Sequence, residues 1–356
     1  MKKVNKLNFT DKHFYIGLDV HKKQWTVCIS DKQLMIENYT MNPSPQELKK
    51  HLDKRYPGAT FHSVYEAGYS GFWIHRELCA LGIKNIVINP ADVPTTDKER
   101  RHKTDAWDSK KLCRELKNHS LRAIYVPSEF HESLRTLCRL RERTVSHQTR
   151  LKNRIKAFLS RHGYSLPTNS ECQHWSKRFM SILKAMEFPY PADQETFDFY
   201  LRELNENRNQ LLVITKRLRQ HIQHHSDNQI YDLLLSVTGV GSITAITFYT
   251  EIMDMKRFRN NNALNSYIGF SPSKHSSGEK DRDTGITSRK NRRLRYMLIE
   301  SAWTAIRKDP ALLLYYQNLS LRMGKQKAII RVAKKLVNRM RYVWNHMDSY
   351  VTCVVE

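Results

Sequence analysis

The hydrophobic pattern falls into three regimes along the chain. In the first, Phe14-Tyr15-Ile16-Gly17-Leu18-Asp19-Val20 and Gln24-Trp25-Thr26-Val27-Cys28-Ile29 are short apolar runs on either side of a polar turn, which predicts a β-hairpin. A third strand is expected at Leu34 to Tyr39. Ser44-Pro45-Gln46-Glu47 has a capping-box spacing with proline in the first turn, so an amphipathic helix opens there. Phe61 to Glu66 alternates like a strand, Phe72 to Leu81 reads as helix, Asn85 to Ile88 as a short strand and Thr104 to Leu116 as helix. Three strands followed by alternating helix and strand predict a mixed α/β domain, a sheet covered by helices, over residues 1–125.

The second regime, residues 126–228, is helical and basic. Between residues 131 and 160, Arg135, Arg139, Arg141, Arg143, Arg150, Lys152, Arg154 and Lys156 are balanced only by Glu132 and Glu142. A polar connection with Pro167, Pro189 and Pro191 follows, then a heptad series at Leu201, Leu204, Arg208, Leu211, Thr215, Leu218 and Ile222. That series fits either a short coiled coil or a helix packed on its own domain. The third regime, residues 229–356, is mainly helical. Leu233 to Thr244 reads as helix, glycine turn, helix. From Lys325 to Trp344, Ile329, Ile330, Ala333, Leu336, Val337, Met340 and Trp344 line one helical face, and Lys327, Arg331, Lys334, Lys335, Arg339 and Arg341 the other.

Charge narrows the class. The 60 Lys and Arg residues outnumber 35 acids, a formal net charge of +25. Such an excess repels itself without a polyanionic partner, and nucleic acid is the usual one, since Lys and Arg displace the counterions condensed on phosphates. A membrane surface is the rival reading, but no apolar run approaches the ~20 residues of a spanning helix. The N-terminus is basic yet leads into no apolar signal core, so the expected location is the cytosol of a bacterium. The six cysteines stand singly with no C-x-x-C pair, which argues against a zinc ribbon.

Within this basic chain a few acids occupy particular positions. Asp19 ends the first strand, Glu66 ends a later strand and precedes Ala67-Gly68, and Asp105 and Asp108 start a helix three residues apart, hence on one face. Strand ends at one sheet edge and a nearby helix N-terminus can converge on one point, offering the oxygen ligands that Mg²⁺ or Mn²⁺ takes. A strand-end Asp also serves as a turn residue, and a first-turn Asp as a cap or a partner of the helix dipole. Gly239-Val240-Gly241 resembles a helix-hairpin-helix turn, whose backbone N–H groups approach a phosphate; a plain helix–helix turn is the alternative. Gly269 to Gly278 reads as a hydroxyl-bearing loop. It leads through Gly285 to a helix start carrying Arg289, Lys290, Arg292, Arg293 and Arg295, cations that would stabilise a phosphoryl transition state.

Three N-terminal motifs, Ile16-Gly17-Leu18-Asp19-Val20-His21-Lys22, Tyr65-Glu66-Ala67-Gly68 and Lys103-Thr104-Asp105-Ala106-Trp107-Asp108-Ser109-Lys110-Lys111-Leu112, resemble those of the DEDD insertion-sequence transposases. These are the bridge-RNA-guided serine recombinases, to which the pilin-gene invertases are similar. Val237 to Gly241, Gly269 to Gly278 and Gly285 to Arg295 resemble the second half of that family, so the likeness covers nearly the whole chain. It implies a ribonuclease-H-like domain of the Holliday-junction-resolvase type, with Asp19, Glu66, Asp105 and Asp108 as ligands of Mg²⁺ or Mn²⁺. It implies a nucleophilic Ser277 in the C-terminal transposase domain and a central coiled coil that assembles protomers. It also implies a homo-tetramer working with a guide RNA on donor and target DNA through a phosphoserine link. The sequence departs from the family where Gly68-Tyr69-Ser70-Gly71 stands in place of a common Thr-Gly, and Ser276 adjoins Ser277. Arg135, Arg139, Arg143, Arg150, Lys152, Arg154, Gly239, Gly241, Arg289, Lys290, Arg292, Arg293, Arg295, Lys334, Lys335 and Arg339 are the expected nucleic-acid contacts. Two further readings stand beside the recombinase: a metal-dependent junction resolvase using water, and a non-catalytic nucleic-acid-binding protein.

Overall fold

The computed structural model describes residues 8–94, 104–167, 175–225, 228–277, 280–286 and 290–352; within 272–286 the backbone alone is described. The chain divides into two compact units, Met1–Val126 and Pro127–Glu356.

The first unit is built on a five-stranded sheet of order β3-β2-β1-β4-β5, where β1 is His13–Val20, β2 Trp25–Ser30, β3 Met35–Met41, β4 Thr60–Glu66 and β5 Lys84–Ile88. The first three strands form an antiparallel meander, and β4 and β5 add parallel to β1. Parallel neighbours need crossovers. Helices α1 (Pro45–Arg55) and α2 (Trp73–Ala80) lie in the connections leading to β4 and β5. The Ser44 side chain caps α1, accepting from the Glu47 N–H at 3.2 Å.

Alternation along the strands gives the sheet two covered faces. Phe14, Ile16 and Leu18 pack with Phe61 and Tyr65 against Leu48 and Leu52 of α1 and Ile74 and Leu78 of α2. On the opposite face, Tyr15, Cys28, Val64 and Ile88 meet Leu112 and Cys113 of α3 (Asp105–Lys117). Gly17 sets how closely α3 lies on the sheet. A Cβ there would be 2.1 Å from the Ser109 carbonyl oxygen and 2.5 Å from the Cys113 nitrogen, so only glycine admits the helix backbone. The Cys113 thiol donates to the Tyr15 carbonyl at 3.1 Å, and Asn38 donates to the Ser109 hydroxyl at 3.2 Å, pinning the helix in register.

The second unit begins with two 33-residue helices, α4 (Glu129–Arg161) and α6 (Pro191–Gln223), each about 50 Å long. Between them lies the short helix α5 (Lys177–Lys184). Leu201 and Leu204 of α6 share a core with Leu151 and Ile155 of α4, whereas Leu218 and Ile222 share one with Leu134, so the two helices run antiparallel. The heptad stripe thus packs within its own chain; Arg141 Nε also reaches the Thr215 hydroxyl at 3.0 Å. The remaining helices are α7 (Asn228–Ser236), α8 (Ser242–Ile252), α9 (Asn261–Ile268), α10 (Arg292–Ala305), α11 (Pro310–Ser320) and α12 (Lys325–His346). Their shared core includes Phe248, Leu298, Leu336 and Trp344.

The segment expected as a serine-bearing loop is instead a two-stranded antiparallel hairpin, β6 (Pro272–Ser277) and β7 (Lys280–Ile286). Polar composition concealed it, because the segment shows no apolar alternation for periodicity to reveal. Backbone pairing sets Lys274 opposite Asp283 and Ser276 opposite Asp281. Among the described residues, no helix is long and apolar enough to cross a membrane.

Candidate metal centre

Asp19 lies one residue from the carboxyl end of β1, and Glu66 ends β4. Leu18 pairs in parallel with Tyr65, so the next step of the register brings Asp19 and Glu66 to the same level on the same sheet face. That face carries α3, seated closely because position 17 is glycine. The first turn of α3 supplies Asp105 and Asp108. Its N-cap, Thr104, makes no side-chain capping bond. Asp105 is engaged by His21, whose Nε2 lies 3.7 Å from Asp105 Oδ1 and 3.3 Å from Asp19 Oδ2. One donor atom each from Asp19, His21 and Asp105 falls within a 4.8 Å cluster.

Burial pushes the Asp19 carboxyl above its usual range. His21 opposes that rise, and the Asp105 and Asp108 carboxylates add to it. Like charges held together while one is partly buried is a costly arrangement that a bound cation relieves. The donor set, carboxylate oxygens with one imidazole, suits a divalent ion such as Mg²⁺ or Mn²⁺.

Two exposed aromatic side chains, Tyr69 and Trp107, lie on the segments that carry or follow these acids. The Tyr69 hydroxyl donates to the Val20 carbonyl at 3.3 Å, and Lys22 lies 5.7 Å from the Tyr69 ring. Trp107, between the two helix acids, is 54% exposed. Sequence alone assigns no role to His21, which lies just past the end of β1, two residues beyond Asp19.

In the second unit the expected nucleic-acid contacts separate into engaged and open groups. Arg139 holds the buried Glu251 in a forked pair at 3.0–3.2 Å, and Asn291 donates to the same carboxylate at 3.0 Å. Arg339 donates to the fully buried Asp309 at 2.6 Å, and the Tyr350 hydroxyl does so at 2.7 Å. Arg293 pairs with Glu142. Arg135 and Arg295 are half-buried, as are Lys152 and Lys334, where burial lowers both lysine ammonium groups. Arg143, Arg150, Arg154, Lys290, Arg292 and Lys335 are exposed. Gly239 has φ near +91°, and a Cβ there would lie 2.6 Å from Ala305 Cβ, so packing on α10 explains that glycine; Gly241 is exposed and starts α8. Ser277 is the last residue of β6, paired in the backbone with Lys280, while Gly278 and Arg289 lie outside the described residues.

The first unit is therefore an α/β domain that gathers carboxylates at the carboxyl edge of a mixed sheet, joined in sequence to a basic helical unit. Comparison with known proteins identifies the family. A DEDD transposase family model matches residues 16–163, and the model described as the transposase IS116/IS110/IS902 family matches residues 231–317. The chain is 32% identical over 296 residues to a Sinorhizobium fredii protein named putative transposase y4qE, covering 82% of this chain and 71% of that one. It is 24% identical over 295 residues to the transposase for insertion sequence element IS1533 of Leptospira borgpetersenii (81% and 84% covered). It is 25% identical over 277 residues to the transposase for insertion sequence element IS1111A of Coxiella burnetii (76% and 74% covered). The chain belongs to the IS110/IS116 family of DEDD insertion-sequence transposases. Its substrate is accordingly DNA and its chemistry phosphoryl transfer.

Proposed function

We propose that this chain is an RNA-guided DNA recombinase whose cutting centre is formed by Asp19, Glu66, Asp105 and Asp108 and whose nucleophile is Ser277. The observation that carries the first half is the approach of α3 to β1 over Gly17, which brings Asp105 within reach of the same imidazole as Asp19. The sheet order supports a ribonuclease-H-like assignment for this unit. A divalent ion, Mg²⁺ or Mn²⁺, would lower the barrier by neutralising charge on the attacked phosphate and its leaving oxygen. The four carboxylates would hold it. The protein's own contribution is to keep them at fixed separation on a sheet edge and a helix end.

The second half rests on the order of motifs in the chain and on the hairpin strand that ends at Ser277. In the proposed step the Ser277 hydroxyl oxygen bonds to phosphorus, one phosphodiester P–O bond breaks, and the departing deoxyribose hydroxyl takes up a proton. Reversal with a different deoxyribose hydroxyl rejoins the DNA. A guide RNA would choose donor and target by base pairing, and the exposed Arg143, Arg150, Arg154, Lys290, Arg292 and Lys335 would contact phosphates. The proposed working assembly is a homo-tetramer, as the family resemblance implies.

The test uses the full chain with DNA carrying the ends of its element and any RNA that co-purifies. Wild type is expected to give a covalent protein–DNA adduct and rejoined product, and Ser277→Ala neither. If Ser277→Ala still cuts DNA without an adduct, water is the nucleophile and the protein is a metal-dependent resolvase-type nuclease. If Asp105→Ala and Asp108→Ala act like wild type in Mg²⁺, the four-carboxylate centre is wrong.

A further inference from the structure

We infer that His21 is a direct nitrogen ligand of the divalent ion, making the centre a mixed imidazole–carboxylate site rather than one of carboxylates alone. The inference rests on the carboxylate reading above and adds a residue to it. Three observations carry it. First, His21 follows Asp19 by two residues where β1 turns toward β2. Its N–H donates to the Gln24 carbonyl at 3.2 Å, so the turn holds the imidazole over the strand end. Second, His21 Nε2 stands 3.3 Å from Asp19 and 3.7 Å from Asp105, touching both acids from the two different elements. Neighbouring ligands of a six-coordinate ion with bonds of about 2.1 Å are about 3 Å apart. The observed separations thus need less than about an ångström of adjustment to become ligand edges. Third, His21 is about half exposed, so a small hydrated ion can reach the ring without rearranging the core.

A nitrogen donor changes which ion the site prefers. First-row transition ions take an imidazole nitrogen, Mn²⁺ the most weakly of them but still more readily than Mg²⁺, which favours oxygen. The centre is therefore tuned toward Mn²⁺ relative to an all-oxygen site. Replacing His21 with alanine should weaken Mn²⁺ binding by roughly tenfold or more and leave Mg²⁺ binding less affected. His21→Asp, which restores an oxygen donor, should regain affinity with the preference moved toward Mg²⁺.

The experiment is pulsed electron paramagnetic resonance on the full chain with Mn²⁺ alone, alongside Mn²⁺ and Mg²⁺ titrations. The expected result is a bound Mn²⁺ signal that disappears in Asp105→Asn and carries nitrogen-14 modulation in wild type. That modulation should be missing in His21→Ala and His21→Asp. Bound Mn²⁺ that depends on Asp105 but shows no nitrogen coupling in wild type would overturn the role of His21 while leaving the carboxylate centre standing. No Mn²⁺ bound in an Asp19- or Asp105-dependent way would overturn both.

Discussion

Gly17→Ala tests the link between packing and the site. The added methyl would stand 2.1 Å from the Ser109 carbonyl oxygen, 2.5 Å from the Cys113 nitrogen and 3.0 Å from Cys113 Cβ. Ordinary contact begins near 3.4 Å, so α3 must retreat by about 1.3 Å. The two closest atoms belong to helix backbone and cannot rotate away. Overpacking of this kind costs about 1–3 kcal/mol, which for a unit of this size lowers Tm by roughly 5–10 °C. The functional loss should exceed the structural one. Asp105 and Asp108 ride on the displaced helix, and a metal site tolerates about 0.2 Å in ligand position. Misplacement near 1 Å costs on the order of 100-fold in rate. Thermal unfolding, Mn²⁺ titration and cleavage of element-end DNA are the assays. A Gly17→Ala protein that keeps wild-type Tm and binds Mn²⁺ within twofold of wild type would refute the claim that this close approach builds the centre.

Charge and burial set the remaining expectations. Burial holds the Asp19 carboxyl above its usual range, with Asp105 and Asp108 adding to the rise against His21. Its stabilising contribution is therefore present below the unfolded carboxylate pKa and lost as pH rises through the folded value, so at neutral pH the ionised group is a cost. Asp19→Asn should raise the Tm of metal-free protein at pH 7 and abolish stabilisation by Mn²⁺; a lower metal-free Tm would contradict this. Arg139→Ala leaves the buried Glu251 without its forked partner and should destabilise the second unit by roughly 2–4 kcal/mol in denaturant unfolding. An unchanged midpoint would show that Asn291 alone satisfies the carboxylate. Removing any one of Arg143, Arg150 or Arg154 should weaken duplex binding regardless of sequence. The log–log salt slope should fall by about 0.9 for each phosphate no longer neutralised. Arg339→Lys, by contrast, should act mainly on stability, because its guanidinium is held by Asp309.

Much of the first unit was legible because its elements keep the period of a structure with covered faces. The alternation of Phe14, Ile16 and Leu18 and the proline-led start of α1 each announce themselves. The acids stood out for a related reason: two end predicted strands and two share one face at the start of a predicted helix, in a chain where acids are outnumbered. What the residues could not reveal alone was convergence. That depends on the β1–β4 register and on how near α3 sits, and the second is set by the missing side chain at Gly17. His21 escaped assignment because a lone histidine in a polar turn has no distinguishing pattern until Asp105 is brought beside it. The basic residues erred in the other direction. Arg139 and Arg339 look like their exposed neighbours in sequence, yet each is drawn to an acid far along the chain, Glu251 or Asp309. The hairpin strand ending at Ser277 looks like loop in the sequence because both strands are polar at nearly every position that periodicity can use.

The central claim is that the carboxylates on β1, β4 and α3 act together as one metal centre for cutting DNA. Calorimetric titration of Mn²⁺ into the full chain, compared with Asp19→Asn, Glu66→Gln, Asp105→Asn and Asp108→Asn, tests it most directly. The account predicts saturable binding in wild type and a marked loss in each variant, with cleavage of element-end DNA falling in step. Variants that bind Mn²⁺ like wild type, or that lose binding yet still cleave, would contradict it.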